Sequence, residues 1–121
     1  MGARARYFDL YDLAPVGYCT VNEQTQIQEA NLSFGRLLGL PRSALVRQPL
    51  SRFIFEKDLP LYYRHAKQLF GTSEPRECEL RMVKRGGTAF WVLLESTAAE
   101  DAAGAAVRRV AVIDITAHKR I

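Results

Sequence analysis

Residues 76 to 114 carry three strand patterns in succession, and that run constrains the architecture more than any other feature of the chain. After Pro75 the residues alternate, with Glu77, Glu79 and Arg81 opposite Cys78, Leu80 and Met82, the period of a strand with one wet face. Lys84 to Gly87 supply a turn. Thr88 to Thr97 then holds Phe90, Trp91, Val92, Leu93 and Leu94 in a nearly unbroken apolar run, and Ala106 to Asp114 repeats it with Val107, Val110, Val112 and Ile113. Both read as interior strands. The link from Ala98 to Ala105 contains Glu100, Asp101 and Gly104 with little to bury, and reads as an exposed, mobile loop.

A sheet with one apolar face needs a cover, and the preceding residues provide it. The strongest helix pattern runs from Asp58, a capping residue, through Pro60 in the first turn to a stop at Gly71. Its apolar stripe is Leu59, Tyr62, Tyr63, Ala66, Leu69 and Phe70. A shorter helix is capped by Asn31, puts Phe34, Leu37 and Leu38 on one face and ends at Gly39. Between them, Pro41 to Lys57 carries two prolines with Leu45, Val46, Leu50, Phe53 and Ile54, which fits short helical turns packed on the core. Upstream, Gly17 opens a strand at residues 18–21, Asn22 to Thr25 turns, and a second strand at 26–29 completes a hairpin. Residues 6–13 pair Tyr7 with Tyr11 and Leu10 with Ala14 at spacings of four, a short amphipathic helix ended by Pro15. The order implies an α+β domain: a five-stranded antiparallel sheet with helices packed on one face, an N-terminal helix over 1–15, a core over 16–116 and the start of a further helix over 117–121.

A chain of 121 residues, 48% hydrophobic, supports one core and no second domain. It contains neither an apolar run of the roughly eighteen residues that spanning requires nor a secretion-type leader, so a cytoplasmic location is expected. The formal charge of +4 comes from Lys and Arg scattered among acids, with pairs such as Lys84-Arg85 and Arg108-Arg109 but no longer run, which argues against nucleic acid. Cys19 and Cys78 have no Cys or His at metal-ligand spacing, so no metal site is expected. No catalytic set emerges either. A Gly-rich phosphate loop is absent, the two histidines lack acidic companions, and of the strand acids Glu77, Glu79 and Glu95 the first two alternate outward.

From about Asp9 to Arg120 the chain resembles the PAS family. The resemblance rests on Pro15-Val16-Gly17 leading into strand one, a hairpin ending in Asn31, a helix ending in Leu38-Gly39, and a Pro41-to-Asp58 stretch with Leu45-Val46, Leu50 and Phe53 in place. The closing Asp114-Ile115-Thr116, followed by Lys119-Arg120, looks like the motif through which PAS domains lead into a signalling helix. Two departures stand out: Arg47 occupies a position where many relatives have glycine, and Phe55-Glu56-Lys57 replaces a common His-Pro-Glu.

The resemblance implies a sensory, non-enzymatic module linked to an output domain such as a histidine kinase or a cyclic-dinucleotide enzyme. It also implies a small-molecule cavity whose wall would be Phe34, Leu38, Phe53, Tyr62, Tyr63, Ala66, Leu80, Val92, Leu94 and Val112, although plain core packing explains the same residues. Ser51 stands where light-sensing relatives place a reactive cysteine, so flavin photochemistry is not expected. Haem is not expected, because His65 falls on the shoulder of its stripe and Tyr62 aligns with the ligand position; a solvated or capping role suits that histidine, and His118 reads as a surface residue. The cofactor is otherwise left open. Asp114 and Thr116 would cap the outgoing helix and carry the signal. Tyr7, Phe8 and Tyr11 would form a homodimer contact, and a ligand-free dimerisation scaffold is the competing role.

Overall fold

The structure, a computed structural model, describes residues 16–69 and 72–119. The expected N-terminal helix and its Tyr7, Phe8 and Tyr11 lie outside the described residues, as do Phe70, Gly71, Arg120 and Ile121.

Five strands, β1 (Gly17–Val21), β2 (Ile27–Ala30), β3 (Arg76–Val83), β4 (Ala89–Glu100) and β5 (Ala106–Asp114), form one antiparallel sheet in the order β2-β1-β5-β4-β3. The first hairpin and the last strand therefore meet at the centre, with β1 pairing β5 over its whole length. One face of the sheet is covered by α1 (Leu32–Leu38), three 3₁₀ turns (Arg42–Ala44, Leu50–Phe53 and Glu56–Asp58) and α2 (Leu59–Leu69). A last turn of helix, α3 (Thr116–Lys119), leaves from β5. This is the expected α+β architecture, including short helical turns in the stretch that begins at Pro41.

Asn31 explains why the hairpin and α1 meet as they do. Fully buried, it accepts hydrogen bonds at Oδ1 from the Phe34 N–H (3.0 Å) and the Tyr18 N–H (2.8 Å), while its Nδ2 donates to the Val16 carbonyl (3.0 Å). One side chain thus caps the helix and closes the start of β1, satisfying one buried and two partly buried backbone groups. Gly39 ends α1 in the left-handed region at φ 69°, as expected.

The sheet is longer than its side-chain pattern suggested. β4 continues through Ala98, Ala99 and Glu100, paired with Arg108, Val107 and Ala106, so the first part of the expected loop is strand. Backbone pairing continues where the side chains no longer alternate by polarity. The connection shrinks to 101–105, where the Asp101 carboxylate accepts from the Ala103 and Ala105 N–H groups, both at 2.9 Å.

Arg47 takes φ 73°, a conformation glycine adopts without strain. It is held there because its N–H donates to Ile27 O (2.7 Å) while Ile27 N–H donates to Gln48 O (2.9 Å), stitching the turn segment to β2.

Candidate functional site

The inner face of the sheet brings together most of the expected cavity wall. Phe34, Leu38, Phe53, Tyr62, Leu80, Val92, Leu94 and Val112 are buried in a single cluster, and Ala66 packs against it. Tyr63 does not belong there: it is 56% exposed. The true centre of the α2 stripe is Tyr62, His65 and Leu69, at spacings of three and four, and Tyr63 lies on its outer side. Burial pushes the Tyr62 phenol up to about 12, against the opposing pull of a hydrogen bond with Thr25. Burial likewise raises both thiols, Cys19 to about 12, which leaves neither activated. Ser51 sits half-buried in the Leu50–Phe53 turn.

His65 corrects a second expectation. It is only 6% exposed, neither solvated nor capping, and its Nε2 lies 3.4 Å from Ser96 Oγ across on β4. Its pKa is lowered by burial first, then by the positive charges of Arg108 and Arg76. Arg108 and Arg109 form a basic pair in sequence, but the strand separates them: Arg109 is exposed, and Arg108 is 1% exposed, pointing inward with Val110 and Val112. Its guanidinium donates to the carbonyls of Thr72 (3.2 Å), Glu74 (3.3 Å) and Ser96 (3.1 Å). The period-two spacing from Val110 was the signal that marked Arg108 as an inward residue.

At the other end of β4, Trp91 makes several of the contacts that hold the chain leaving the sheet. The Trp91 carbonyl accepts from the Ile115 N–H at 3.0 Å, and the Trp91 N–H donates to Thr116 Oγ1 at 3.2 Å. The Asp114 carboxylate accepts from the Thr116 N–H at 2.9 Å, a local turn two residues long at the start of the helix, while the Thr116 hydroxyl is engaged with Trp91. Lys119 then folds back, placing Nζ 4.7 Å from the Trp91 ring centre and 2.8 Å from Glu79 Oε1. The Arg81 guanidinium lies over the same indole at 5.0 Å and over Phe55 at 4.6 Å. Asp58, expected to cap α2, is used instead by Arg81: its carboxylate accepts from the Arg81 N–H (2.8 Å), Nε (2.9 Å) and Nη2 (2.8 Å), and these bonds hold it below the usual carboxylate range. A surface groove of about 490 Å³ runs beside this exit, lined by Lys84, Thr88, Ala89, Phe90, Asp114, Thr116 and Ala117.

The family model described as PAS domain matches residues 15–117. The chain belongs to the PAS domain family. Among curated proteins none matches it. Solved PAS domains share the fold at low identity. That of an HTR-like protein from Haloarcula marismortui is 21% identical with a TM-score of 0.79, over 93% of this chain and 91% of that one. A domain of the sensory box sensor histidine kinase/response regulator from Geobacter sulfurreducens is 16% identical with a TM-score of 0.75, over 92% and 93%. The N-terminal domain of a diguanylate cyclase with PAS/PAC sensor from Marinobacter aquaeolei is 16% identical with a TM-score of 0.72, over 86% and 98%. The Geobacter and Marinobacter neighbours are thus domains of signalling proteins. Among the described residues no helix is long and apolar enough to cross a membrane, and no group of three or more metal-ligating side chains gathers.

Proposed function

We propose that this PAS domain is a non-catalytic sensory module that converts a change in packing on the inner face of its sheet into a change in the helix leaving at Thr116. The input is a small ligand or partner acting on the inner wall. The output is a covalently linked effector, of the histidine-kinase or cyclic-dinucleotide class that the structural neighbours carry. One observation supports the relay: Trp91 holds both Ile115 and Thr116 by its backbone, and its ring holds Lys119, while the next residue, Val92, is wholly buried in the core and paired with Asp114. A shift of β4 at Val92 would thus move the Asp114–Thr116 turn and the cation together, a two-state element of the kind a switch needs.

In the protein carrying its output domain, Asp114→Ala and Thr116→Val should abolish the response to stimulus while leaving the fold intact. An unaltered response in both variants would end the proposal.

A homodimer is the second reading, and the outer face of the sheet favours it. Leu93, Ala111 and Ile113 are only partly covered there among the described residues. Sedimentation equilibrium should give a dimer that Ile113→Lys weakens; a monomer at high concentration would refute it.

A further inference from the structure

Near the last turn of α2, four polar side chains from four elements meet on the inner face of the sheet. Arg76 opens β3 directly opposite Ser96 of β4, Ser96 faces Val110 of β5, and Arg108, two residues before Val110, points to the same side. His65 reaches Ser96 from α2. Ser96 and Arg108 are each 1% exposed.

This cluster is electrostatically incomplete. Arg108 spends its two terminal nitrogens on carbonyl oxygens of Thr72, Glu74 and Ser96, but its Nε is buried without a partner, and so is the Nε of Arg76. Among the described residues neither guanidinium meets a carboxylate; the ion pairs there are Arg81 with Asp58 and Lys119 with Glu79. Carbonyl dipoles compensate a buried cation only in part, and an unpaired buried charge is among the costliest features a small domain can carry. Arginine also cannot escape by shedding its proton. Two guanidinium N–H groups without partners thus lie on the same face as the Ser96 hydroxyl and the His65 imidazole, a donor-rich setting whose chemistry suits an anion.

We propose that the Arg76–Arg108–His65–Ser96 cluster binds the head group of a small carboxylate, which names the ligand class for the sensory reading above and rests on it. The guanidinium fork matches a planar carboxylate. A carboxylate also sheds less hydration on entering so enclosed a place than a phosphate dianion. The neighbours of the cluster on the same face are apolar: Cys78 follows Arg76, Leu94 precedes Ser96, and Val110 follows Arg108, all buried. The favoured ligand is accordingly a monocarboxylate with a short apolar tail lying along the inner wall.

The test is calorimetric titration and thermal unfolding of the 121-residue chain with hexanoate, its uncharged counterpart hexanamide, and inorganic phosphate. Hexanoate should bind saturably and raise Tm, while hexanamide and phosphate should do neither at the same concentrations. Arg76 is only half-buried, so Arg76→Gln should fold, and it should weaken hexanoate at least tenfold; Arg108→Gln should do the same, whereas the exposed Arg109→Gln should not. Saturable binding of phosphate alone, or hexanoate binding unchanged in Arg76→Gln, would overturn the proposal. Equal binding of hexanamide and hexanoate would overturn the carboxylate site but leave an inner-wall ligand standing. No binding by any probe, together with no mass lost between native and denaturing mass spectra of the purified chain, would sink both.

Discussion

Replacing Asn31 by alanine tests whether one buried amide joins the hairpin to the helical layer. The substitution removes the acceptor for the Phe34 and Tyr18 N–H groups and the donor to the Val16 carbonyl. A buried group stripped of its partner costs about 1–3 kcal/mol. Some of these three will recover water, because the Tyr18 and Val16 contacts are only partly buried, so a loss of about 3 kcal/mol is expected. With an unfolding entropy of about 2.1 cal/mol/K per residue, that loss lowers Tm by about 12 °C. Urea denaturation should show the midpoint falling at constant m-value, as expected when stability changes but the surface exposed does not. Asn22→Ala is the matched control. Asn22 Oδ1 also accepts from two backbone N–H groups, those of Gln24 and Gln26 at 3.0 Å each, but in an exposed turn where water can replace it. Its cost should stay near 1 kcal/mol or below. Equal losses in the two variants, or a loss under about 0.5 kcal/mol for Asn31→Ala, would refute the reasoning.

Two further outcomes follow from single residues. Arg47→Gly should stabilise the domain by about 1 kcal/mol, since a non-glycine residue in the left-handed region costs roughly 1–2 kcal/mol and glycine gives part of that back in unfolded-state entropy; a lowered urea midpoint would contradict it. Asp58 has its folded pKa depressed by Arg81, so its contribution is present above the unfolded carboxylate value and lost as pH falls through the folded one. Wild type should therefore lose stability between pH 5 and the folded pKa more steeply than Asp58→Asn, and parallel pH–stability curves would show that the pair carries no such linkage.

Much of the fold was legible because its signals are local. The alternation from Glu77 to Met82, the apolar run around Trp91 and the cap-and-glycine pair Asn31 and Gly39 each report their own backbone state. What escaped depended on neighbours distant in sequence. Ala98 and Ala99 carry no pattern of their own and are strand because β5 pairs with them. Asp58 is a good capping residue by type, yet an arginine 23 residues later claims its carboxylate. The inner wall was found by its apolar periodicity, with Tyr63 misplaced because the stripe of α2 is narrower than its aromatic content suggests. The polar cluster was missed altogether. His65, Ser96 and Arg108 look like surface residues singly, and only the register of three strands and one helix makes them neighbours.

The central claim, that inner-face packing is transmitted to the exit helix through β4, is tested most directly by native-state amide hydrogen exchange in Val92→Ala. Val92 is wholly buried beside Trp91, and the Ile115 amide reports the exit through its bond to the Trp91 carbonyl. The Asp101 amide, bonded to Ala105 O at the opposite end of the β4–β5 hairpin, serves as the internal reference. The account predicts exchange at Ile115 accelerated about tenfold or more over that at Asp101, a differential of about 1.4 kcal/mol. Equal acceleration at both amides would mean that the core mutation only weakens the domain as a whole, and that the exit does not read the packing beneath it.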